Sequence, residues 1–386
     1  MNARSPTASP RADTIGGRYR VLEQLGRGGA ATVYRVHDLG GGRELALKQL
    51  LLGESQRHAG LFEREYHALA QLAHPRVIAV YDYGLDVAGP FYTMELLDGG
   101  DLKQLSPLPP LRACQLMLEI CSSLALLHSR RLVHRDVTPR NVRCTRDGHA
   151  KLIDFGAMAP MGVCSNVAGT PAFIAPEVLQ QVSIDGRADL FSLGATLYYT
   201  LTGHTPFSAR NLSELREAYA HAPRPPSQRV AGIPPALDAL CMALLRIDPE
   251  QRPRSAFEVM HKLAAIVGVA HEEPLGVSRA YLTTPLLCGR EAQLRAFRQR
   301  IRRAAHGGGG ALLFRSPPGL GRSRMLDACA LEAKTLGLTV LRAGAGSAGP
   351  FTLAARLCEQ LLEALPESAL HAAERAQVRE IVLDDA

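Results

Sequence analysis

The sequence holds 386 residues, 46% of them hydrophobic and 21% charged, proportions that rule out a chain disordered throughout. Gly and Pro recur without a period, which rules out a collagen-like or coiled-coil rod, and no run of roughly 18 uncharged apolar residues marks a membrane-spanning helix. The net charge of +7 rests almost wholly on Arg, with lysines only at Lys48, Lys103, Lys151, Lys262 and Lys334. Aromatic residues make up 5%, which speaks against a basic, aromatic nucleic-acid surface. Eight cysteines lie far apart with no Cys-x-x-Cys pair, and Met1 to Arg18 has no apolar core. The expectation is a soluble, cytoplasmic chain with free thiols, no secretory signal and no membrane or nucleic-acid partner. At about 150 residues per domain the length suggests two or three domains.

Residues 1–18, with Pro6, Pro10, Gly16 and Gly17, read as a disordered tail. Strand-like patterns follow at Tyr19 to Leu25, Thr32 to Val36 and Glu44 to Leu51, the first two joined through a glycine cluster. Residues 58–72 carry Leu61, Phe62, Leu69 and Leu72 at helical spacing. A stronger helix spans Leu111 to Ser129, with Ala113, Leu116, Met117, Ile120, Leu124 and Leu127 on one stripe. The chain then reads as mostly helical to about residue 266. Residues 268–286 form a linker. Beyond it come a basic helix from Arg290 to Ala305, four glycines, a short apolar strand Ala311 to Phe314 and a Gly/Pro loop. A β-rich lobe followed by a helical lobe is a plausible frame for a nucleotide cleft, and fold alone does not fix function.

Glycines in Gly26-Arg27-Gly28-Gly29-Ala30-Ala31-Thr32-Val33 allow backbone N–H groups to approach phosphate oxygens; an ordinary Gly-rich turn has the same composition. Lys48 sits inside an apolar strand and Glu65 on the inward face of the next helix. Pairing them would spare a buried carboxylate its desolvation cost and aim an ammonium at phosphates; two unrelated surface charges would show the same spacing. The most informative stretch is His134-Arg135-Asp136-Val137-Thr138-Pro139-Arg140-Asn141, followed by Leu152-Ile153-Asp154-Phe155-Gly156. Asp136, Asn141 and Asp154 supply three oxygen-bearing side chains, the ligand chemistry of a Mg²⁺–nucleotide site, with one left to accept a hydroxyl proton.

This ordered set resembles the eukaryotic-type protein kinase family as it occurs in bacteria: the Gly-rich loop, Ala46-Leu47-Lys48, Glu65, His134-Arg135-Asp136, Asn141, Asp154-Phe155-Gly156, Gly169-Thr170, Ala175-Pro176-Glu177, Asp189 and Arg252. The resemblance covers residues 19–267. It implies an α+β, bilobal fold, with a β-rich N-lobe over 19–97 and a helical C-lobe over 98–267. It implies ATP and Mg²⁺ as cofactors and protein substrates bearing Ser or Thr. Lys48 would hold the α/β-phosphates with Glu65 behind it, and Asp136 would be the catalytic base. Asn141 and Asp154 would bind the metal. Gly26, Gly28, Val33 and Ala46 would cover the nucleotide, Glu95 and Leu97 would offer backbone groups to adenine beside Met94, and Asp101 would meet the ribose. Glu177 and Arg252 would form a structural ion pair. Leu69, Val80, His134 and Phe155 would stack as an apolar spine.

Two departures stand out. Thr138 occupies the place where serine/threonine kinases carry a lysine, and Arg140 is expected to replace it electrostatically. Arg143 stands where an apolar side chain usually underlies adenine. Gly169-Thr170-Pro171 favours serine/threonine specificity, Arg135 would dock an activation-loop phosphate, and Ser165 is a candidate autophosphorylation site. Residues 287–386 resemble the start of an AAA-type ATPase module. In its phosphate loop Ser316 replaces the first Gly and Arg322 the Lys, while Gly321 and Ser323 remain; a degenerate, partial P-loop-like region serving as a protein-interaction surface is the expectation. The alternative to an active kinase is a catalytically weak nucleotide-binding module coupled to that region.

Overall fold

The computed structural model describes residues 14–28, 30–51, 56–163, 166–209, 211–268, 289–306, 308–315, 322–336, 338–343 and 352–364. The chain divides into two compact units. One holds Met1–Ala59, Tyr81–Leu96 and Leu286–Ala386; the other holds Gly60–Val80 and Leu97–Pro285.

The first unit is built on strands β1 (Thr14–Ile15), β2 (Tyr19–Arg27), β3 (Ala31–Asp38), β4 (Glu44–Leu50), β5 (Val80–Asp86) and β6 (Gly89–Met94), in the sheet order β1-β2-β3-β4-β6-β5. Alternation along β4 sends Leu45 and Leu47 to one face, where they join Ile15, Tyr19, Val36 and Phe91 in a buried cluster. The intervening residues Ala46 and Lys48 belong to the other face. The three strands expected from the sequence are present. Residues 14–18 of the expected disordered tail are ordered instead, because Thr14 and Ile15 pair with Arg20 and Tyr19; residues 1–13 lie outside the described residues. Gly16 and Gly17 turn that hairpin at positive φ, 60° and 68°, a region glycine enters at no steric cost. Arg18 closes it by a two-pronged ion pair to the buried carboxylate of Asp38, at 2.6 and 2.8 Å.

The second unit is mainly helical: α1 (Gln56–Ala70, of which the part from Gly60 belongs here), α2 (Leu102–Leu105), α3 (Pro110–Ser129), α4 (Pro176–Leu179), α5 (Gly186–Thr202), α6 (Leu212–Ala218), α7 (Pro235–Leu244) and α8 (Ala256–Val267). Short strands β7 (Leu132–Val133), β8 (Val142–Cys144), β9 (Ala150–Leu152), β10 (Ala159–Pro160), β11 (Gly162–Val163) and β12 (Ser183–Ile184) pair β7 with β10, β8 with β9 and β11 with β12. The expected stripe on α3 is buried throughout, and Cys114, Cys121, Leu126 and others are buried with it. Among the described residues α3 is the helix long and apolar enough to cross a membrane; here it packs against α8 and α5 as a core helix. Side-chain caps from Asp185 and Ser255 start α5 and α8, and Gly203 and Gly268 end them at positive φ.

Three further helices belong to the first unit: α9 (Glu291–Ala305), α10 (Arg322–Thr335) and α11 (Thr352–Ala364). The basic helix expected over 290–305 is α9. Ala311–Phe314, expected as a strand, joins no sheet among the described residues. A lone extended segment has no neighbouring ladder to satisfy its backbone and is not stable as a strand. Ser316, Gly319 and Gly321 of the expected phosphate loop lie outside the described residues, as does Ser165.

Candidate active site

In the first unit, register brings the expected nucleotide-facing residues onto one side of the sheet. Gly26 stands opposite Val33, Val33 opposite Lys48, and Lys48 opposite Tyr92. Ala46 lies two residues from Lys48 on the same strand, hence on the same face, and opposite Met94. The Lys48 ammonium lies 5.9 Å from the Tyr92 ring centroid. Gly28 donates its N–H to the Ala31 carbonyl at 2.8 Å, closing the turn between β2 and β3.

In the second unit the loop after β7 is held from beneath by Asp189 of α5. This wholly buried carboxylate accepts the backbone N–H groups of His134 and Arg135, each at 2.8 Å, and meets His128 Nε2 at 2.9 Å. Thr196 of α5 adds a hydroxyl donated to the Val137 carbonyl at 2.9 Å. The loop is thereby fixed to a largely buried helix, and Arg135 takes a positive φ of 67° within it.

Both oxygens of Asp136 are engaged. Oδ1 accepts from the Thr170 N–H at 2.8 Å and the Thr170 hydroxyl at 2.9 Å; Oδ2 accepts from Asn141 Nδ2 at 2.8 Å. Asn141 Nδ2 also donates to the Asp136 carbonyl at 2.9 Å, so the amide nitrogen is committed to the loop and Oδ1 is the atom left for a ligand. Ile153 N–H donates to the Asn141 carbonyl at 2.8 Å, which ties the residue before Asp154 to the same loop. Asp154 adopts a positive φ of 60°, the sort of backbone strain that marks functional sites.

Glu65 is buried on α1. Its carboxylate and that of Asp154 both flank Gly156: a Cβ built there would stand 3.6 Å from Glu65 Oε2 and 3.4 Å from Asp154 Oδ1. His134 is wholly buried and meets Phe155 edge to face at 4.7 Å between centroids. Burial holds the imidazole below its ordinary pKa, against the nearby charges of Asp189, Asp136 and Asp154. It is therefore a neutral packing residue, as expected of a spine position.

Other expected residues have more mixed placements. Asp101 Oδ1 accepts the Gln104 N–H at 2.9 Å and Gln104 reciprocates, so Asp101 caps α2. Leu97 is buried and Glu95 half-buried. Arg140 is exposed, whereas Thr138 is buried. Arg143 is half-buried on β8, where it forms a backbone bridge with Asp101. Arg135 donates Nε to the Ala157 carbonyl at 2.6 Å and Nη1 to Asn166 Oδ1 at 3.1 Å, gripping the segment on both sides of residues 164–165. Glu177 and Arg252 form a bidentate buried pair at 2.7 and 2.9 Å. Sequence reasoning did not find Thr196, Asn141's grip on Asp136 or His128. The partners of these bonds at Thr196 and His128 lie 59 and 61 residues away, and no local pattern announces them.

A model of the protein kinase domain matches residues 19–263. This chain belongs to the protein kinase family. The kinase chain is 34% identical over 317 residues to the serine/threonine-protein kinase PknL of Mycobacterium tuberculosis, covering 77% of this chain and 76% of PknL. It is 36% identical over 286 residues to a probable serine/threonine-protein kinase of Streptomyces coelicolor, covering 69% of this chain and 42% of that protein. It is 37% identical over 263 residues to the DNA damage-responsive serine/threonine-protein kinase RqkA of Deinococcus radiodurans, covering 64% of this chain and 39% of RqkA. Against the Streptomyces and Deinococcus relatives the kinase thus spans well under half of the relative's length.

Proposed function

We propose that this chain is an ATP- and Mg²⁺-dependent protein kinase that transfers the γ-phosphoryl group to Ser or Thr hydroxyls of proteins. The observation carrying the proposal is the Asp136 carboxylate, oriented through both oxygens by Thr170 and Asn141. A carboxylate so held can align an acceptor hydroxyl and take its proton as the bond to phosphorus forms. Thr170 lies in Gly169-Thr170-Pro171, the segment whose resemblance favours serine/threonine acceptors.

The donor set suits a hard cation. Asn141 has its carbonyl oxygen left over from the loop bonds, and the Asp154 side chain is a carboxylate; both are oxygen ligands of the kind Mg²⁺ takes. When bound, the ion would neutralise charge on the transferring phosphates. Lys48, on the sheet face shared with Gly26, Val33 and Ala46, is assigned to the α/β-phosphates. Glu95 and Leu97 are assigned to adenine and Asp101, through the oxygen its cap leaves over, to ribose. Arg140 is exposed on the catalytic loop, and we assign its guanidinium to the charge that builds on the phosphoryl group in transfer. Because nothing is bonded covalently to the protein in this scheme, the rate comes from positioning and electrostatics.

A buried, uncharged Thr138 in place of a lysine favours one second reading, a nucleotide-binding module with weak turnover. Incubating the full chain with labelled ATP, Mg²⁺ and a generic basic protein decides between them. Transfer abolished by Asp136→Ala supports the enzyme; ATP binding without transfer supports the module. For the region over residues 287–386 we propose an interaction surface in place of a working ATPase, since Arg322 stands where a phosphate loop needs Lys. The described cysteines are free thiols, all buried except Cys358, which is consistent with a cytoplasmic location.

A further inference from the structure

Lys334, near the C-terminal end of α10, lies 2.9 Å from Asp82 Oδ1 on β5 and donates a second bond to the Tyr81 carbonyl at 3.3 Å. The two acidic oxygens of Asp82 are shared among three neighbours: Lys334, the Tyr19 hydroxyl at 3.1 Å and Arg18 at 3.5 Å. Burial opposes ionisation of Asp82, and Lys334, Arg18 and Tyr19 outweigh it, keeping the carboxyl below its usual range. Residues 338–341, which follow α10, and Gln360 of α11 wall a cavity of about 380 Å³ against Arg18, Tyr19 and Phe91. Beside this cavity the Lys334–Asp82 clamp is a charged contact between the segment and the sheet.

The clamp also has a path to the adenine-facing end of the sheet. The backbone N–H of Asp82 donates to Thr93 Oγ1 at 3.0 Å, and Thr93 is followed directly by Met94 and Glu95. We propose that residues 322–336 and 338–343 are a cis-acting brace on the kinase sheet, clamped by Lys334 on Asp82, and that engaging the brace sets the β5–β6 hairpin and with it the affinity for ATP. The coupling half of this inference rests on the assignment of Glu95 and Leu97 to adenine; the docking half does not.

The test uses the full chain and three versions of residue 334: Lys, Arg and Glu. Lys334 touches no residue assigned to catalysis, and Lys334→Arg keeps the charge. Backbone hydrogen exchange is followed over residues 80–86 and 322–335, and binding of a fluorescent ATP analogue is measured in parallel. An ion pair of this exposure shifts a docking equilibrium by about two- to fivefold, and a like charge in its place should do at least that. Lys334→Glu is expected to speed exchange in both segments and to change the analogue's Kd about twofold or more. Lys334→Arg should match the parent. Raising salt should loosen the parent and, by screening the new repulsion, partly restore docking in Lys334→Glu. Unchanged exchange in Lys334→Glu would overturn the brace. Faster exchange with an unchanged Kd would overturn its coupling to ATP. A chain that binds no analogue in any version would refute the nucleotide site itself, and the exchange data would still decide the docking.

Discussion

Asp136 owes its orientation to a hydroxyl, an amide and one backbone N–H, and each can be removed separately. Thr170→Val deletes the hydroxyl bond and keeps the N–H donor. A hydrogen bond to a charged group contributes about 1.5 kcal/mol or more, so kcat should fall roughly tenfold or more with little change in the KM for ATP, measured by steady-state kinetics. Gly169, just before it, has φ of 116° and would set a Cβ 2.6 Å from the Arg135 carbonyl. Gly169→Ala must therefore displace either Thr170 or the catalytic loop, and it should lower kcat more than Thr170→Val does. Arg140→Ala tests the one charged side chain assigned to the transferring group. A drop in kcat of about tenfold or more is expected, with Arg140→Lys recovering part of it; equal kinetics for all three chains would remove Arg140 from the mechanism.

Among the elements, α5 does most to position the site, because one helix carries both Asp189 and Thr196 against the loop after β7. The Glu177–Arg252 pair fixes α4 to the segment before α8. Arg252 spends all of its donors: two on Glu177 and the others on the carbonyls of Arg246, Arg187 and Ile247 at 2.7 to 3.0 Å. Its guanidinium also lies 4.9 Å from the Phe191 ring. A buried pair satisfied in this way is costly to break from one side, because the remaining charge keeps its desolvation penalty. Glu177→Gln is expected to lower unfolding stability by about 3 kcal/mol, read from the denaturation midpoint at constant m.

For the whole molecule, buried histidines set an acid limit. Burial, followed by the charges of Arg76, Arg130 and Lys151, pushes His74 down to about 4, and burial lowers His134 as well. The folded chain refuses protons that the unfolded chain takes up below an ordinary histidine pKa. Stability is therefore complete above about pH 6.5 and lost progressively toward pH 4. His74 alone should cost about 2 kcal/mol at pH 5 relative to pH 7.5. His74→Asn, which keeps an acceptor for the Arg76 N–H, should flatten that part of the profile in denaturant titrations at the two pH values.

Periodicity along Leu45 to Lys48 and along Leu116 to Leu127 was enough to place a strand and a core helix, because hydrophobic burial imprints its spacing directly on the chain. The order of Lys48, Glu65, Asp136, Asn141 and Asp154 pointed to phosphate chemistry for a similar reason: each residue type is bound to a role. Contacts between distant segments left no such imprint. Asp189 under the loop, Thr170 on Asp136, Lys334 on Asp82 and the β1 hairpin inside an apparent tail each join groups whose separation along the chain carries no period. Hydrogen bonds of that kind exist once the fold has brought their partners within about 3 Å; Lys334 and Asp82 look ordinary until then, whereas Asp189 and Thr170 stood out beforehand only through the family resemblance.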